Sequence, residues 1–323
     1  MKILITGSAG FIGYSLAKSL LIKKFNVYGI DNFDKYYSVK LKKKRITDLK
    51  KEKKFNFYKI DIRSKEQLNK IKNIPFAYIF HFAAQPGVRY SLINPKKYFD
   101  TNVLGFQNLL DVINKKNLKK IVYASSSSVY GDQKLFPVKE SASLNAKNPY
   151  GVSKIESEII AENVNKNLKI PFIGLRLFTV YGPWGRPDMF IIKLLNCLSK
   201  KKYFYLNNSG NHFRDFTYID DVVNICEKIM KSKIHNKHLI FNVCSGREVN
   251  ILKLTQKINN VFKLKKKYIK NIKMNKADVY KTHGSNKKLK NFLNYKEFYK
   301  ISYGLSKTIN WYFKFKKNLK NKI

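Results

Sequence analysis

Short runs of consecutive apolar residues, separated by longer stretches in which apolar side chains recur every three or four positions, organise the first half of the chain. The runs are KILIT (2 to 6), NVYGI (26 to 30), FNFYKI (55 to 60), AYIFHF (77 to 82), KIVYAS (120 to 125) and FIGLRLF (172 to 178). Between them lie SLAKSLLIKK (15 to 24), NVLGFQNLLDVINKKN (102 to 117) and SKIESEIIAENVNKN (153 to 167), each with helical spacing. Uninterrupted apolar runs suit strands buried on both faces, and strands alternating with amphipathic helices build βαβ units. The pattern predicts an α/β domain over residues 1 to 178 with a doubly wound parallel sheet at its centre.

Beyond residue 178 the alternation breaks. TVYGPWGRPDMF (179 to 190) reads as a loop rich in Gly and Pro, and IIKLLNCLSKK (191 to 201) as a helix. HLIFNVCS (238 to 245) is another buried strand, expected to return to the main sheet, and the segment from about 216 to 245 is expected to belong to the first domain. Residues 246 to 323 read as helix, strand and helix, ending in the amphipathic GLSKTINWYFKFKK (304 to 317). With no internal repeat and no long linker, residues 179 to 323 are expected to form a smaller α/β substrate domain that packs on the first and covers a ligand.

At 323 residues the chain can bury a sizeable core. No run approaches the roughly 20 apolar residues of a membrane span, and the start MKILITG reads as a strand rather than a signal peptide. Cys197, Cys226 and Cys244, odd in number and widely spaced, fit neither a disulfide framework nor a zinc site. A soluble protein of the reducing cytoplasm, without a metal, is the expectation.

The net charge of +44 would ordinarily point to nucleic acid or an anionic membrane. Yet only seven of the 65 basic residues are arginine, and the lysines are scattered rather than clustered. Phosphate and base recognition favour the guanidinium fork. The charge therefore reads as solvated surface produced by a bias toward Lys, Asn and Ile, and neither a specific nucleic acid nor a membrane is expected as partner.

GSAGFIG (7 to 13) follows the first strand and opens the first helix, setting Gly7, Gly10 and Gly13 around Phe11 and Ile12. Such a turn lets the backbone approach a pyrophosphate at a helix N-terminus. The second strand ends in GIDNF, where Asp31, with Asn32 beside it, can accept hydrogen bonds from a ribose diol. An acid there repels a 2′-phosphate, so NAD is expected over NADP, in a Rossmann-type domain. Asp61 and Ile62 after the third strand are placed to flank an adenine ring, and Ala83 and Ala84 after the fourth to let the backbone pass near the cofactor.

In NPYGVSK (148 to 154), Tyr150 and Lys154 share a helix face. A tyrosine pKa near 10 is too high for a base at neutral pH, but a nearby cation lowers it, so the pair is a candidate proton-transfer device. Taken alone, the two read better as a surface tyrosine and one lysine among many. The glycine turn, the acid after strand two, a Ser-rich strand end in YASSSSVYG (123 to 131) and the Tyr-x-x-x-Lys helix occur together, however. In that order and spacing the sequence resembles the extended short-chain dehydrogenases/reductases of the NAD-dependent epimerase/dehydratase type, over nearly the whole chain. The resemblance implies that Tyr150 is the acid/base, that Lys154 holds the nicotinamide ribose and lowers the Tyr150 pKa, and that Ser126 binds the reacting oxygen. Dehydratases and decarboxylases of that family resemble TDEVYG or TSEVYG, whereas this chain has Ser127 and Ser128 in place of those acids.

DNFDKYYSVKLKKKR (31 to 45), HFAAQPGVRYS (81 to 91), LRLFTVYGPWGRPDM (175 to 189) and RDFTYIDDVV (214 to 223) are similar to stretches of the UDP-glucuronate 4-epimerases. Pro86 departs from an Ala, and in ADVYKTHGSNKKL (277 to 289) Ala277 and Ser285 replace a Gly and an Asp. The resemblance implies that Thr179 and Arg186, helped by Ser126, Ser127 and Ser128, grip the sugar carboxylate, and that Arg214 contacts the diphosphate. Arg89 and Tyr90 are candidates for the sugar pocket. An ion pair of Arg214 with Asp215 or Asp220 is the structural alternative. The implied activity is interconversion of UDP-glucuronate and UDP-galacturonate by a homodimer. A 4-epimerase of UDP-glucose or of a UDP-N-acetylhexosamine or its uronate, and a nucleotide-sugar dehydratase, are the other readings.

Overall fold

The computed structural model describes residues 1–263, 268–275 and 277–320, with side chains through residue 316. The expected substrate domain, 179 to 323, thus includes residues 264–267, 276 and 321–323, which lie outside the described residues. Twelve strands are described: β1 Lys2–Thr6, β2 Asn26–Asp31, β3 Phe55–Lys59, β4 Tyr78–His81, β5 Lys120–Ser126, β6 Phe172–Leu177, β7 Thr179–Tyr181, β8 Phe204–Asn207, β9 Phe213–Tyr218, β10 His238–Val243, β11 Glu248–Asn250 and β12 Ile269–Ile272.

Seven of them form one sheet in the order β10-β6-β5-β4-β1-β2-β3, every pair parallel. Helices cover both faces. On one, Leu16 and Leu20 of helix Phe11–Ile22 pack with Val222, Ile225 and Ile229 of helix Ile219–Lys231 over Ile3 and Ile5. On the other, Phe106, Leu109 and Ala161 close over Leu4, Ile79 and Ile121. Sheets covered on both faces require strands apolar on both faces, which is why the runs were continuous rather than alternating. The strand His238–Val243 joins the sheet edge beside β6, as its composition indicated.

The second helical stretch departs from its predicted span. Phe99–Leu104 is a π-helical turn and the α-helix covers only Gly105–Val112, because Ile113 turns extended. A smaller three-stranded sheet, β11-β9-β7, and the pair β12-β8 build the remainder, with helices Phe190–Ser199, Ile251–Val261 and Ile301–Lys320. Among the described residues no helix is long and apolar enough to cross a membrane. Cys197, Cys226 and Cys244 are free thiols.

Candidate active site

Strands β1 and β4 are neighbours from which the chain departs in opposite directions, so a crevice opens at their carboxyl ends. Gly7, just past β1, has φ +68, and a Cβ there would sit 2.7 Å from the backbone nitrogen of Ala83, just past β4. Only glycine allows the two loops to meet this closely. The Gly10 N–H closes the turn on the Gly7 carbonyl at 2.8 Å. Helix Phe11–Ile22 then starts with neither a side-chain cap nor an acid in its first turn. Its free N–H groups and positive dipole end are therefore unopposed, the donor set of a phosphate site.

At the end of β2 the buried Asp31 accepts the Ala9 N–H at 3.1 Å and the Phe33 N–H at 2.8 Å. Burial raises its pKa, with the Lys42 charge and these two N–H groups opposing. Each oxygen keeps a lone pair for a ribose hydroxyl. Turn, uncapped helix and carboxylate together fit a dinucleotide.

A cavity of about 650 Å³ runs from this turn toward the second sheet. Gly7, Gly10, Phe11, Ile12, Gly13, Asp31, Asn32, Ile62, Ala83, Ala84, Arg89, Ser126, Ser127, Ser128, Tyr150, Lys154, Thr179, Arg186 and Arg214 all line it. Asp61 is absent from the lining. Its carboxylate is taken up by Arg63 at 2.7 Å and Asn32 at 3.0 Å, and despite burial those bonds, Arg63 first, hold its pKa at about 2. The carboxylate expected beside an adenine is thus turned to its own chain two residues on. Tyr90 is likewise off the lining and packs on Tyr36 and Tyr98.

Helix Pro149–Leu168 begins where the Asn148 side chain accepts the Gly151 N–H at 3.0 Å and Pro149 presets the first turn. Tyr150 enters the cavity from that first turn and Lys154 from the next. Lys154 Nζ donates to the Ala124 carbonyl at 2.9 Å, and burial pulls its pKa down to about 8 against the pull of Glu158. Burial pushes the Tyr150 phenol up, opposed by a hydrogen bond with Ser126 and by the charge of Arg186. In this structure the phenol therefore lies above its ordinary value rather than below it. The cation acting on it is Arg186, from the far side of the cavity.

The four serines are held differently. Ser125 donates to Glu158 at 2.5 Å, and Glu158 is locked to the buried Arg176 at 2.8 Å. Ser126 accepts the Ser128 N–H at 3.1 Å, which turns Ser126, Ser127 and Ser128 along the cavity wall.

On the opposite wall Arg89 pairs with Asp278 at 2.6 Å. Arg214 makes no ion pair among the described residues. It donates to the Phe213 and Tyr280 carbonyls at 2.7 and 3.2 Å, while Asp215 instead accepts Ser245 N and Oγ at 2.8 Å. The structural alternative for Arg214 does not form. Burial, then Arg89, lower the Arg214 pKa to about 10 against the pull of Asp278, so an anion here would be welcome.

Sequence reasoning missed Tyr36, Asp188, Asn207, His212 and Asp278, all on the lining. Asn207 Oδ1 and His212 Nδ1 are buried without hydrogen-bond partners, polar atoms that a polar ligand would satisfy. The only linear signal was position, since NNSGNHF leads directly into Arg214. Tyr36, Asp188, Asp278 and Lys42, which also reaches the cavity, lie in stretches similar to the family's but carried no role from the sequence.

The profile of the NAD dependent epimerase/dehydratase family matches residues 3–244. The chain belongs to this family. It is accordingly an enzyme of an NAD-dependent group, and the glycine turn and Asp31 are where such a cofactor fits. A UDP-glucuronate 4-epimerase of Thermodesulfobacterium geofontis is 35% identical, over 95% of each chain. The crystal structure of a UDP-glucuronic acid 4-epimerase from Bacillus cereus, in complex with UDP-glucuronic acid and NAD, superposes with a TM-score of 0.90 at 31% identity, over 96% of this chain and 98% of that one. A UDP-glucose 4-epimerase from Thermotoga maritima, solved with UDP-glucose, gives a TM-score of 0.87 at 26% identity, over 99% and 100% of the two chains.

Proposed function

We propose that the protein is a UDP-glucuronate 4-epimerase that forms UDP-galacturonate through a 4-keto sugar. The observation that carries this reading is the convergence of Arg186, Thr179 and Ser126, Ser127 and Ser128 with Tyr150 on one cavity. A cation and several neutral donors beside a proton-transfer group suit a sugar that bears a carboxylate next to the reacting carbon. The serine turn carries no acid of its own that would assist elimination of water.

When bound, NAD supplies a reversible acceptor for the hydrogen on C4 and a positively charged ring. The Tyr150 oxygen takes the proton of the 4-hydroxyl and later returns it, and Ser126 hydrogen-bonds the same sugar oxygen. Lys154, fixed by the Ala124 carbonyl, would hold the nicotinamide ribose. Arg214 holds the diphosphate, so binding energy remote from the reacting carbon retains the ligand while the keto sugar turns over. Arg186 and Thr179 keep the carboxylate in place. The assembly expected is a homodimer through helix Pro149–Leu168 and the turn before Gly105–Val112, where Ile159 and Leu104 are 60% and 50% exposed.

Incubation with UDP-glucuronate followed by NMR of the sugar tests the reading. UDP-galacturonate is the expected product. A UDP-pentose, a 4-keto-6-deoxy sugar, or turnover confined to UDP-glucose or UDP-N-acetylglucosamine would each replace it with another reading.

The Lys154 charge gives a pH prediction. A lysine whose pKa is about 8 is charged below that value and neutral above it. Its charge-assisted grip on the nicotinamide ribose weakens as pH rises, so kcat/KM should fall above about pH 8. In Lys154→Arg, whose guanidinium stays protonated, the overall rate should be lower but the alkaline fall absent. A pH–rate profile of both proteins from pH 6 to 10 checks this, and identical alkaline limbs would exclude Lys154 as their source.

A further inference from the structure

Arg186 and Asp188 lie on the loop after β7 and face each other through a two-pronged ion pair, Nε to Oδ1 at 3.1 Å and Nη2 to Oδ2 at 2.5 Å. Both line the cavity that holds Tyr150. A guanidinium has five N–H donors, so this pair uses one edge and leaves the Nη1 side for a second acceptor. Burial opposes the Arg186 charge, yet the Asp188 carboxylate, followed by Tyr37 and Tyr36, holds its pKa above the ordinary value.

The carboxylate is itself braced. The Tyr36 hydroxyl lies 3.5 Å from Asp188 Oδ2, and a Cβ at Gly87 would fall 2.1 Å from that hydroxyl. Loops after β2 and β4 therefore meet at Tyr36, whose hydroxyl faces Asp188 on the loop after β7. The guanidinium also lies over the Tyr36 and Tyr37 rings, 5.9 Å from each centroid, so an arginine without the carboxylate keeps that packing but loses what fixes the direction of its fork.

We propose that Asp188 is a positioning residue for uronate recognition, holding one edge of Arg186 so that the other edge is presented to the sugar carboxylate. The inference rests on the reading of the site as a uronate epimerase. A neutral sugar has no carboxylate to receive that edge, so the influence of Asp188 is confined to uronates.

The test compares wild type with Asp188→Ala, Asp188→Asn and Asp188→Glu as purified holoenzymes, with NAD content measured for each. KM and kcat are determined for UDP-glucuronate, and UDP-glucose is used as a competitive inhibitor. In Asp188→Ala the KM for UDP-glucuronate should rise about tenfold or more, the scale of a lost charge-assisted pair, with kcat changed far less and the UDP-glucose Ki unchanged. Asp188→Asn should lie between Ala and wild type, and Asp188→Glu should recover part of the loss. A lower KM in Asp188→Ala would overturn the proposal, since Asp188 would then be competing with the sugar for Arg186. Equal weakening of both ligands would overturn it too, as would unchanged KM in a variant that retains NAD. A wild-type enzyme that converts no UDP-glucuronate rejects the functional reading, and the inference with it.

Discussion

Tyr150→Phe should lower kcat on UDP-glucuronate by about 10² to 10⁴, the usual worth of a positioned general acid/base, while NAD content and thermal stability stay near wild type. The substitution removes one oxygen. The ring keeps its edge-on contact with Tyr98, at 6.1 Å between centroids, and the helix keeps its start because Asn148 and Pro149 form the cap. What is lost is the hydroxyl that Ser126 bonds and that the Arg186 charge acts upon. Because burial holds this phenol above its ordinary pKa, its deprotonation depends on positive charge brought into the cavity. The wild-type rate should therefore depend on full occupancy by oxidised cofactor. Product formation by NMR, normalised to NAD content, gives the measurement, and a variant within threefold of wild type would remove Tyr150 from the proton transfer.

What the linear sequence revealed follows from how local each signal is. Strands β1 to β6 and β10 were legible because burial on both faces demands continuous apolar runs, and that demand shows in every such segment. The glycine turn was legible because its geometry excludes side chains at fixed positions. Helix Val39–Leu49 was not, because VKLKKKRITDL buries Lys42 and Arg45 along with Ile46 and Leu49, which hides its apolar face. The missed strands β7, β9 and β11 are held by one another, Thr179 opposite Phe216 and Val249 opposite Arg214, so their cause lies in pairing rather than in local pattern.

The site divided in the same way. Tyr150 and Lys154 share a helix face by spacing, but only the resemblance to the family, not the motif alone, drew them and Ser126 together. Asp61 was expected in the cavity from its place after a strand, but an arginine two residues away captured it. Asp278, part of the stretch ADVYKTHGSNKKL, lines the cavity and pairs with Arg89, a partner far along the chain that no spacing could indicate.

Arg186→Met should cost about 10² or more in kcat/KM on UDP-glucuronate, the scale for losing one member of a partly buried charge pair across an interface, and should also change the product. With the 4-hydroxyl oxidised, the C6 carboxylate is β to a ketone. Cleavage of the C5–C6 bond releases CO2, leaves the electron pair as an enolate across C4 and C5, and ends in protonation at C5 to a UDP-4-keto-pentose. That cleavage requires the C5–C6 bond to stand perpendicular to the carbonyl plane, so an enzyme that fixes the carboxylate can suppress it. Arg186 supplies the fixed cation, and Ser127, Ser128 and Thr179 on the same lining supply only neutral donors. Methionine keeps an unbranched apolar stem and loses the charge and the donors. A second effect should accompany the first. The Arg186 charge lowers the Tyr150 pKa, so its removal should move the acid limb of the pH–rate profile to higher pH. Measured CO2 release together with the shifted limb would place both roles on Arg186. Unaltered specificity without CO2 would transfer the grip on the carboxylate to the serine turn and Thr179.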